Sequence, residues 1–355
     1  MRTPVTPLAV LTLVLILPAP ASAWHKDGHL AVARIAWKQL SDQERIQIAK
    51  ILKAHPHYDL FLAAGAPKGV PAVEWAFLQA GVWPDWVRDP HAPGLDADQR
   101  ARIKKAFHKP VWHYVNLPYL HPHDAAKFDA QAIRKEILLP ELDDQGEPRH
   151  VLAALKQAMK LLLAADTPDA DKAVRLCWLA HLVGDLHQPL HACSLIAAKG
   201  TLGAEQFDPP HGDLGGNRTA IKRLASDAAA MNLHFYWDSL VFRTEPGFAG
   251  VEAVVAKLLN DPALRPDQLQ ELSAKEFLDW AEESLELCRT VVYKGGDAFL
   301  KVRALPPRKV DLTGLDVPAL PEGYEPIAER VAARRMVLAG YRLADQLQRV
   351  LRAGE

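Results

Sequence analysis

The sequence has few cysteines, almost no net charge and no long apolar segment beyond its first residues. Its three cysteines, Cys177, Cys193 and Cys288, allow at most one disulfide bond and fit no CxxC zinc motif, which excludes a disulfide-rich scaffold. The sequence does not say which of them pair. The formal net charge of −1 over 355 residues excludes a globally basic protein, although it leaves room for a local positive groove. Beyond the first 23 residues, no segment is apolar over the ~20 residues that a membrane-spanning helix needs.

The first 23 residues have the pattern of a signal peptide. Arg2 supplies a positive charge, residues 8–17 are almost entirely apolar, and residues 21–23 (Ala-Ser-Ala) offer the small side chains found before cleavage sites. The apolar run is too short to span a bilayer. We therefore predict a signal peptide over residues 1–23 and an exported mature protein of residues 24–355, located in the periplasm or secreted.

The mature part of the sequence has the periodicity of helices. The chain is 49% hydrophobic, enough for a large core, and its apolar residues recur at spacings of three and four rather than two. Capping boxes at Ser41 with Glu44 and at Ser273 with Glu276 predict two helix starts. Further helices are predicted at 148–165, from Thr167 to about Pro189, and at 326–352. Because no repeat or linker divides the chain, we predict a single, mostly helical domain of the all-α class.

The segment His181-Leu-Val-Gly-Asp185-Leu-His-Gln-Pro189-Leu-His191 combines metal-ligand residue types at helical spacing. His181 and Asp185 are four residues apart, so both project from one face of a helix. Pro189 ends that helix and can turn the chain so that His191 returns to the same site. His187 lies inside the segment, but we predict that it supports the site or lies on the surface.

The spacing recurs at His234 and Asp238, again a histidine and an aspartate four residues apart. Imidazole and carboxylate are ordinary zinc ligands in hydrolytic sites. Two structural His–Asp pairs in a core are the alternative interpretation. Buried carboxylates need a partner, however, and a metal ion provides one.

Three shorter segments add ligand types beside bulky apolar residues. Trp24 would be the first residue of the mature chain, where a free α-amino group has a pKa near 7.7–8.0 and can bind a metal, and His29 follows five residues later. Asp85 and Arg88 lie in the segment WPDWVR, and His113 lies in WHYVN. In contrast, the polar or proline-containing surroundings of four other histidines predict exposure to solvent. These are His55, His57, His121 and His123.

Taken together and in this order, the motifs resemble those of the S1/P1 nuclease family, zinc-dependent single-strand nucleases related to zinc-dependent phospholipases C. The shared patterns are an N-terminal Trp with His five residues later, WxDxxR, H-aromatic-x-N/D, HxxGDxxQPLH, GGN and HxxWD. The resemblance extends from Trp24 to about residue 350. It implies an all-α fold around a trinuclear zinc site.

The resemblance assigns nine residues to three zinc ions. The first ion would bind Asp85, His113, His181 and a bridging Asp185. The second would bind His191, His234 and Asp238. The third would bind the amino nitrogen and carbonyl oxygen of Trp24 together with His29 and Asp185. The cofactor implied is therefore Zn²⁺, three per chain.

The resemblance also assigns roles in catalysis and in substrate binding. Asp85 would orient the attacking water as well as bind metal, and the planar guanidinium of Arg88 would stabilise charge on the phosphate. Tyr114 would stack on a base, which tolerates any base. Asn116 and Asn217, the latter in the GGN motif, would hydrogen-bond base edges. The alternative interpretation is that Tyr114, Asn116 and Asn217 are ordinary loop residues without a role in substrate binding.

The function implied is that of an endonuclease and 3′-nucleotidase that cleaves single-stranded DNA and RNA to products with 5′-phosphates. Its partners would be single-stranded nucleic acid and nucleotides, and we predict a monomer with no stable protein partner. The alternative is a zinc-dependent phospholipase C. Two features of the sequence disfavour this alternative. The last ligand pair is HxxxD, where the pattern of such phospholipases resembles HxxxE, and Trp24 is only five residues from His29. A third alternative is a structural or binding protein with residual metal sites. Such a protein would lack at least one metal-ligating residue, and none is missing from this sequence.

Overall fold

The computed structural model describes residues 24, 26–242, 247–294, 299–308 and 310–353. Helices account for 58% of the residues and strands for 7%, which confirms the predicted mostly helical fold. The predicted signal peptide lies outside the described residues. Among the residues described, no helix has both the length and the apolar character needed to span a membrane.

The elements of the described chain follow one another from Lys26 to Arg352. The helices are α1 (Lys26–Gln39), α2 (Asp42–Lys53), α3 (Ala72–Ala80), α4 (Trp83–Trp86), α5 (Ala97–Phe107), α6 (Ala130–Leu138), α7 (Val151–Leu163), α8 (Asp169–His187), α9 (Pro189–Ala192), α10 (Leu233–Ser239), α11 (Phe248–Asn260), α12 (Phe277–Leu287) and α13 (Tyr324–Arg352). The strands are β1 (Leu117–Leu120), β2 (Cys193–Ile196), β3 (Thr219–Ile221), β4 (Met231–Asn232) and β5 (Arg303–Ala304).

Helix α8 is the centre of the fold. Helices α1, α2, α3, α4, α7, α12 and α13 all pack against it, and nearly every side chain from Ala173 to His187 is buried. A helix enclosed on all sides must be apolar all round. The polar residues within it, His181, Asp185 and His187, are therefore exceptions that need partners.

Two parallel strands bring two distant segments of the chain together. Strand β1 pairs with β2 so that Leu117 lies opposite Cys193. Each strand begins shortly after a candidate ligand, His113 before β1 and His191 before β2. The backbone N–H of Val115 also donates to the carbonyl of His191 at 2.8 Å, so the pairing extends to the candidate ligands themselves.

The sequence did not predict these strands, nor the small antiparallel sheet with the order β4-β3-β5. Each strand has at most four residues, and β1, β2 and β3 are almost completely buried. Such short buried strands show no alternation of polar and apolar residues, which was the signal sought. The three-stranded sheet matters because β3 and β4 connect the GGN loop to α10.

A disulfide joins Cys193, at the start of β2, to Cys288, at the end of α12. This answers the question of pairing that the sequence left open. Cys177 in α8 is a buried free thiol. The bond fixes the strand that follows His191 to a helix on the other side of α9.

One of the two predicted capping boxes is correct and the other is wrong. The capping box of Ser41 and Glu44 is confirmed. The box at Ser273 and Glu276 is wrong, because residues 270–273 form a 3-10 turn and α12 begins only at Phe277.

Exposure of His55, His57 and His121 is also wrong, since their side chains are buried, whereas His123 is exposed. Burial is possible because local groups provide partners. The indole N–H of Trp83 donates to Nδ1 of His57 at 3.0 Å, and the backbone N–H of His57 donates to Nδ1 of His55 at 3.0 Å.

Candidate metal centre

The candidate centre is built around Asp185 on α8. His181, one turn earlier, points its Nε2 at Oδ2 of Asp185 at 3.2 Å, and both side chains are fully buried. His113 places Nδ1 3.0 Å from the same oxygen, and Nε2 of His29 faces the other oxygen at 3.3 Å. One buried carboxylate therefore lies among three imidazoles from α1, the segment before β1, and α8.

Glycine at position 184 allows this close approach of α1 to α8. A Cβ atom at Gly184 would lie 3.0 Å from Nδ1 of His29. Without that atom, the His29 ring can stack on the His181 ring with centroids 3.9 Å apart. Any larger residue at 184 would displace His29 from the centre.

Electrostatics within this cluster favour an ionised carboxylate. Burial alone would raise the pKa of Asp185, but the His181 charge and the hydrogen bonds from His113 and His181 hold it well below its usual range. Burial would likewise lower the pKa of His181, but the charges of Asp185 and Asp85 outweigh it and raise that pKa to about 9. The carboxylates thus favour positive charge at this point.

A second group lies where α8 gives way to α9. His191, His234 and Asp238 offer ligand atoms that all lie within 4.8 Å of one another. Nε2 of His234 is 3.4 Å from Oδ2 of Asp238, while the Gln188 amide donates to the other carboxylate oxygen at 2.7 Å.

Among the described residues, no Lys or Arg forms an ion pair with Asp238 in this second group. Burial, followed by the charges of Asp185 and Asp85, raises the pKa of Asp238 well above its usual range. Burial and the neighbouring His191 lower the pKa of His234 to about 3. Because burial disfavours both charged forms, a carboxylate at Asp238 requires a positive partner.

Three of the histidine rings are oriented by backbone carbonyls. Nδ1 of His181 donates to the carbonyl of Gly81 at 2.8 Å, and Nδ1 of His191 donates to that of His113 at 2.8 Å. Nδ1 of His234 donates to the carbonyl of Gly215 at 2.7 Å. A ring fixed in this way presents its other nitrogen as a lone-pair donor, which is the usual arrangement of metal-binding histidine.

Several buried polar atoms at the centre have no hydrogen-bond partner. They are Nδ1 and Nε2 of His29, Oδ1 of Asp185, Nε2 of His191 and Oδ2 of Asp238. Leaving such atoms unsatisfied is costly, and a folded protein rarely does so without a ligand. Nitrogen and oxygen donors in this mixture suit a divalent ion such as zinc. The residues present therefore fit a metal-binding site.

The structure brings every predicted ligand side chain into this region. Ligand atoms of His29, Asp85 and His181 lie within 4.8 Å of one another, as do those of His113, His181 and Asp185. Trp24 is completely buried, and its indole N–H donates to the carbonyl of Gly184 at 3.0 Å. Residue 24 is thus anchored beside Asp185, while ligation by its amino nitrogen stays a prediction.

A cavity of about 330 Å³ opens in front of the centre. It is lined by Asp85, Arg88, His108, Pro110, His113, Tyr114, Asn116, Leu190, His191, Leu214, Asn217 and His234. All five residues predicted to act in catalysis or substrate binding are among them. The sequence analysis missed His108 and Leu214. Leu214 directly precedes the GGN motif, but a leucine in a loop carries no chemical signal.

The GGN loop supports one candidate ligand and one wall of the cavity. Gly215 has φ of +59°, and a Cβ there would lie 2.2 Å from the carbonyl oxygen of Leu190, so only glycine fits. Its own carbonyl accepts the His234 hydrogen bond. The Asn217 amide donates to the carbonyl of Leu214 at 2.9 Å, which closes the loop.

A buried aspartate fixes the start of this loop. Asp213 accepts hydrogen bonds from the backbone N–H of Leu195 at 2.9 Å, from the Thr219 hydroxyl at 2.8 Å and from the Tyr293 hydroxyl at 2.5 Å. The loop is therefore attached to β2, to β3 and to Tyr293 in the segment after α12, which holds its glycines against α9.

A helical fold with buried His and Asp clusters beside a cavity that contains an arginine has the composition of metal-dependent phosphoesterase sites. The chain belongs to the S1/P1 nuclease family, whose model it matches over residues 24–352. This match confirms the resemblance noted from the motifs. It implies a metal-dependent hydrolase that acts on phosphodiester bonds of nucleic acids. No curated protein sequence matches the chain.

Proposed function

We propose that the protein is a zinc-dependent endonuclease and 3′-nucleotidase for single-stranded DNA and RNA, and that its products carry 5′-phosphates. The observation that carries this proposal is the shared cavity. Four candidate metal ligands line it, namely Asp85, His113, His191 and His234, and Arg88, Tyr114, Asn116 and Asn217 line the same space. A phosphodiester beside the ligands can therefore have its base beside the aromatic and amide side chains. We further propose that the protein is exported and acts as a monomer.

Nine residues would hold three metal ions. Asp85, His113, His181 and Asp185 would bind one ion, His191, His234 and Asp238 a second, and Trp24, His29 and Asp185 a third. When bound, zinc acts as a Lewis acid toward the phosphate and lowers the pKa of water. Asp185 is suited to bridge two ions, because its two carboxylate oxygens face different histidines.

Asp85 and Arg88 would act directly on the reacting phosphate. Burial opposes ionisation of Asp85, but the charges of His181, His113 and His29 lower its pKa, so it is a carboxylate that can accept a hydrogen bond from water. Arg88 lies three residues later on the same cavity wall. Its planar guanidinium can donate two hydrogen bonds to phosphate oxygens and stabilise the charge that develops there.

The rim of the cavity favours an unpaired base. Tyr114 and Leu214 line it, and their side chains are 38% and 44% exposed despite their apolar surfaces. A base between them would stack on the ring without sequence preference. A base held in a duplex cannot enter such a space unless it leaves the stack, which costs a few kcal/mol. Asn116 and Asn217 can each donate and accept at a base edge.

The test compares substrate classes on one preparation of the mature protein. Zinc-loaded protein is incubated with single-stranded DNA, RNA, duplex DNA, a 3′-nucleotide and phosphatidylcholine, with and without a chelator. We expect cleavage of the first two and of the 3′-nucleotide, little cleavage of the duplex, and complete loss of activity with the chelator. End-group analysis should find 5′-phosphates. Hydrolysis of phosphatidylcholine alone would instead establish the phospholipase C alternative.

A matched pair of variants tests whether the ring of Tyr114 stacks on a base. Tyr114→Ala should weaken cleavage of single strands by about tenfold, because stacking contributes ~1–3 kcal/mol per base. Tyr114→Phe keeps the ring and should leave the rate nearly unchanged. Equal rates in both variants would remove Tyr114 from the binding site.

A further inference from the structure

Helix α5 is a basic and solvent-exposed element in a protein with almost no net charge. From residue 97 to residue 109 the chain has five Arg and Lys residues and a single acidic residue, Asp98. None of the α5 side chains is fully buried. Only Ile103 and Phe107, on one side, pack partly against the core. The remaining surface of the helix is positive and faces solvent.

One row of this surface leads to the cavity. Arg100 and Lys104 are four residues apart and so lie on the same side of α5, and His108 follows at the same interval where the helix ends. His108 lines the cavity together with Asp85 and Arg88. The row thus extends over ~12 Å from the cavity along the helix axis. Arg102 and Lys105 lie on the opposite flank.

The two cations of this row, Arg100 and Lys104, form no ion pair in the part of the chain that the structure describes. Within the described ranges, no carboxylate lies within 4.0 Å of Arg100 or Lys104, whereas Lys109 pairs with Glu147 at 2.9 Å. Nδ1 of His108 is buried without a hydrogen-bond partner. Burial lowers the pKa of His108, and the charges of His113, Lys104 and Arg88 lower it further, whereas the charge of Asp85 acts in the opposite direction.

We propose that Arg100, Lys104 and His108 form a binding track for the phosphates of a polynucleotide, which begins at the catalytic cavity with His108 and continues outside it along α5. The proposal rests on the proposed function and specifies its substrate class. Strands long enough to reach from the cavity to α5 are bound more tightly than mononucleotides. The contacts are to phosphates, so the gain in affinity is independent of sequence and falls as salt rises.

Two double variants on the same helix test the track. R100Q/K104Q removes two charges from the row, and R102Q/K105Q removes two exposed charges from the other flank. Cleavage is measured on an oligonucleotide of about 16 nucleotides and on a 3′-nucleotide. Binding of zinc-loaded protein to a cleavage-resistant phosphorothioate strand is measured by fluorescence anisotropy at several salt concentrations. Thermal unfolding of each variant controls for folding.

For R100Q/K104Q, kcat/KM on the oligonucleotide should fall about tenfold, with unchanged activity on the 3′-nucleotide. The slope of log affinity against log salt should decrease by about 1.4, since each single-strand phosphate contact contributes ~0.7. R102Q/K105Q should change both quantities less than about twofold. Equal losses in the two variants would show that the overall charge of the helix, and not the track, causes the effect. No loss in R100Q/K104Q would also refute the track.

These outcomes are separable from failure of the proposed function. If the wild-type protein cleaves single strands and R100Q/K104Q cleaves them with unaltered kinetics, the proposed function stands and the binding track is refuted. If the wild-type protein hydrolyses only phosphatidylcholine, the proposed function is refuted. The anisotropy measurement still decides whether the track binds phosphates.

Discussion

Helix α8 carries buried ionisable groups to two different regions, and only one of them has the character of a ligand site. His181 and Asp185 face the candidate metal centre. His187, at the end of the same helix, faces an arginine cluster formed with Glu283, Arg335 and Arg342. All three side chains are completely buried, so burial alone does not distinguish the two regions.

The arginine cluster is satisfied by the protein itself. Nε2 of His187 accepts a hydrogen bond from Arg342 at 2.8 Å, and Nδ1 donates to the carbonyl of Val183 at 2.7 Å. Glu283 accepts from Arg335 and Arg342 at 2.5–2.7 Å. Among its polar side-chain atoms in the described structure, only Nε of Arg342 is left without a partner. The centre, in contrast, leaves polar atoms without a partner on four side chains, those of His29, Asp185, His191 and Asp238. A concentration of unsatisfied polar atoms therefore distinguishes the centre from the arginine cluster.

The largest expected effect is that of Asp185→Asn, which changes the centre and leaves the arginine cluster intact. The amide cannot supply the anionic charge that two ions would share, so zinc content should fall and the cleavage rate should drop by about 10³-fold. Metal analysis and single-turnover cleavage measure the two quantities. His187→Gln, on the other side of α8, serves as the control and should retain zinc. Full zinc content in Asp185→Asn would contradict the assignment.

An added glycine before Trp24 tests the same side of α8 from the N-terminus. The addition turns the α-amino group into a peptide nitrogen, which is a poor ligand. One zinc ion should then be lost while the other two keep their side-chain ligands, and activity should fall about 10²-fold, or ~2.7 kcal/mol. Folding should change far less. The comparison is with the authentic mature protein, both zinc-loaded. Equal zinc content and equal activity would make Trp24 a buried anchor only.

The sequence predicted the ligand side chains because their spacing carries the chemistry. His181 and Asp185, or His234 and Asp238, need only a helix to share a face, and the helix was evident from periodicity. His187 shows where this reasoning ends. It lies in the same motif, but its partners are Arg335 and Arg342, about 150 residues away in α13. No local pattern could place them beside it.

Long-range packing also explains the wrong predictions. His55 and His57 were expected in solvent because their neighbours are polar or proline, yet Trp83 and Phe107 cover them. Leu214 belongs to the cavity only because the GGN loop is held by Asp213. Local spacing thus predicts which groups can act together, while tertiary contacts decide which groups are enclosed.

Arg342→Met tests the arginine cluster in the way that Asp185→Asn tests the centre. Removing the guanidinium leaves Glu283 with Arg335 alone and His187 without its donor. We expect the free energy of unfolding to fall by about 2–3 kcal/mol, less than for a fully enclosed ion pair because Glu283 is 20% exposed. Zinc content of the folded protein should not change. Loss of zinc without loss of stability in Arg342→Met would contradict the assignment of a structural role to the arginine cluster.

The smallest effect is a dependence of stability on pH that originates in Glu283. Burial would raise the pKa of this carboxyl, but hydrogen bonds from Arg342 and the charge of Arg335 lower it below its usual 4.5. A depressed pKa in the folded state stabilises the protein above pH 4.5, and the contribution is lost as the pH falls through the folded-state pKa. Glu283→Gln should therefore lower the free energy of unfolding at pH 7 by about 1–2 kcal/mol.

The difference between Glu283→Gln and the wild type should shrink as the pH falls below 4.5, where the wild-type carboxyl gains its proton. Urea unfolding of both proteins at pH 7 and at acid pH measures this. Glu282→Gln is the matched control, since Glu282 pairs with Arg134 on the outside of α12 and touches none of the arginine cluster. It should have a smaller effect at pH 7. A difference for Glu283→Gln that is constant across the acid range would show that the carboxylate charge does not stabilise the cluster, and that its hydrogen bonds alone do.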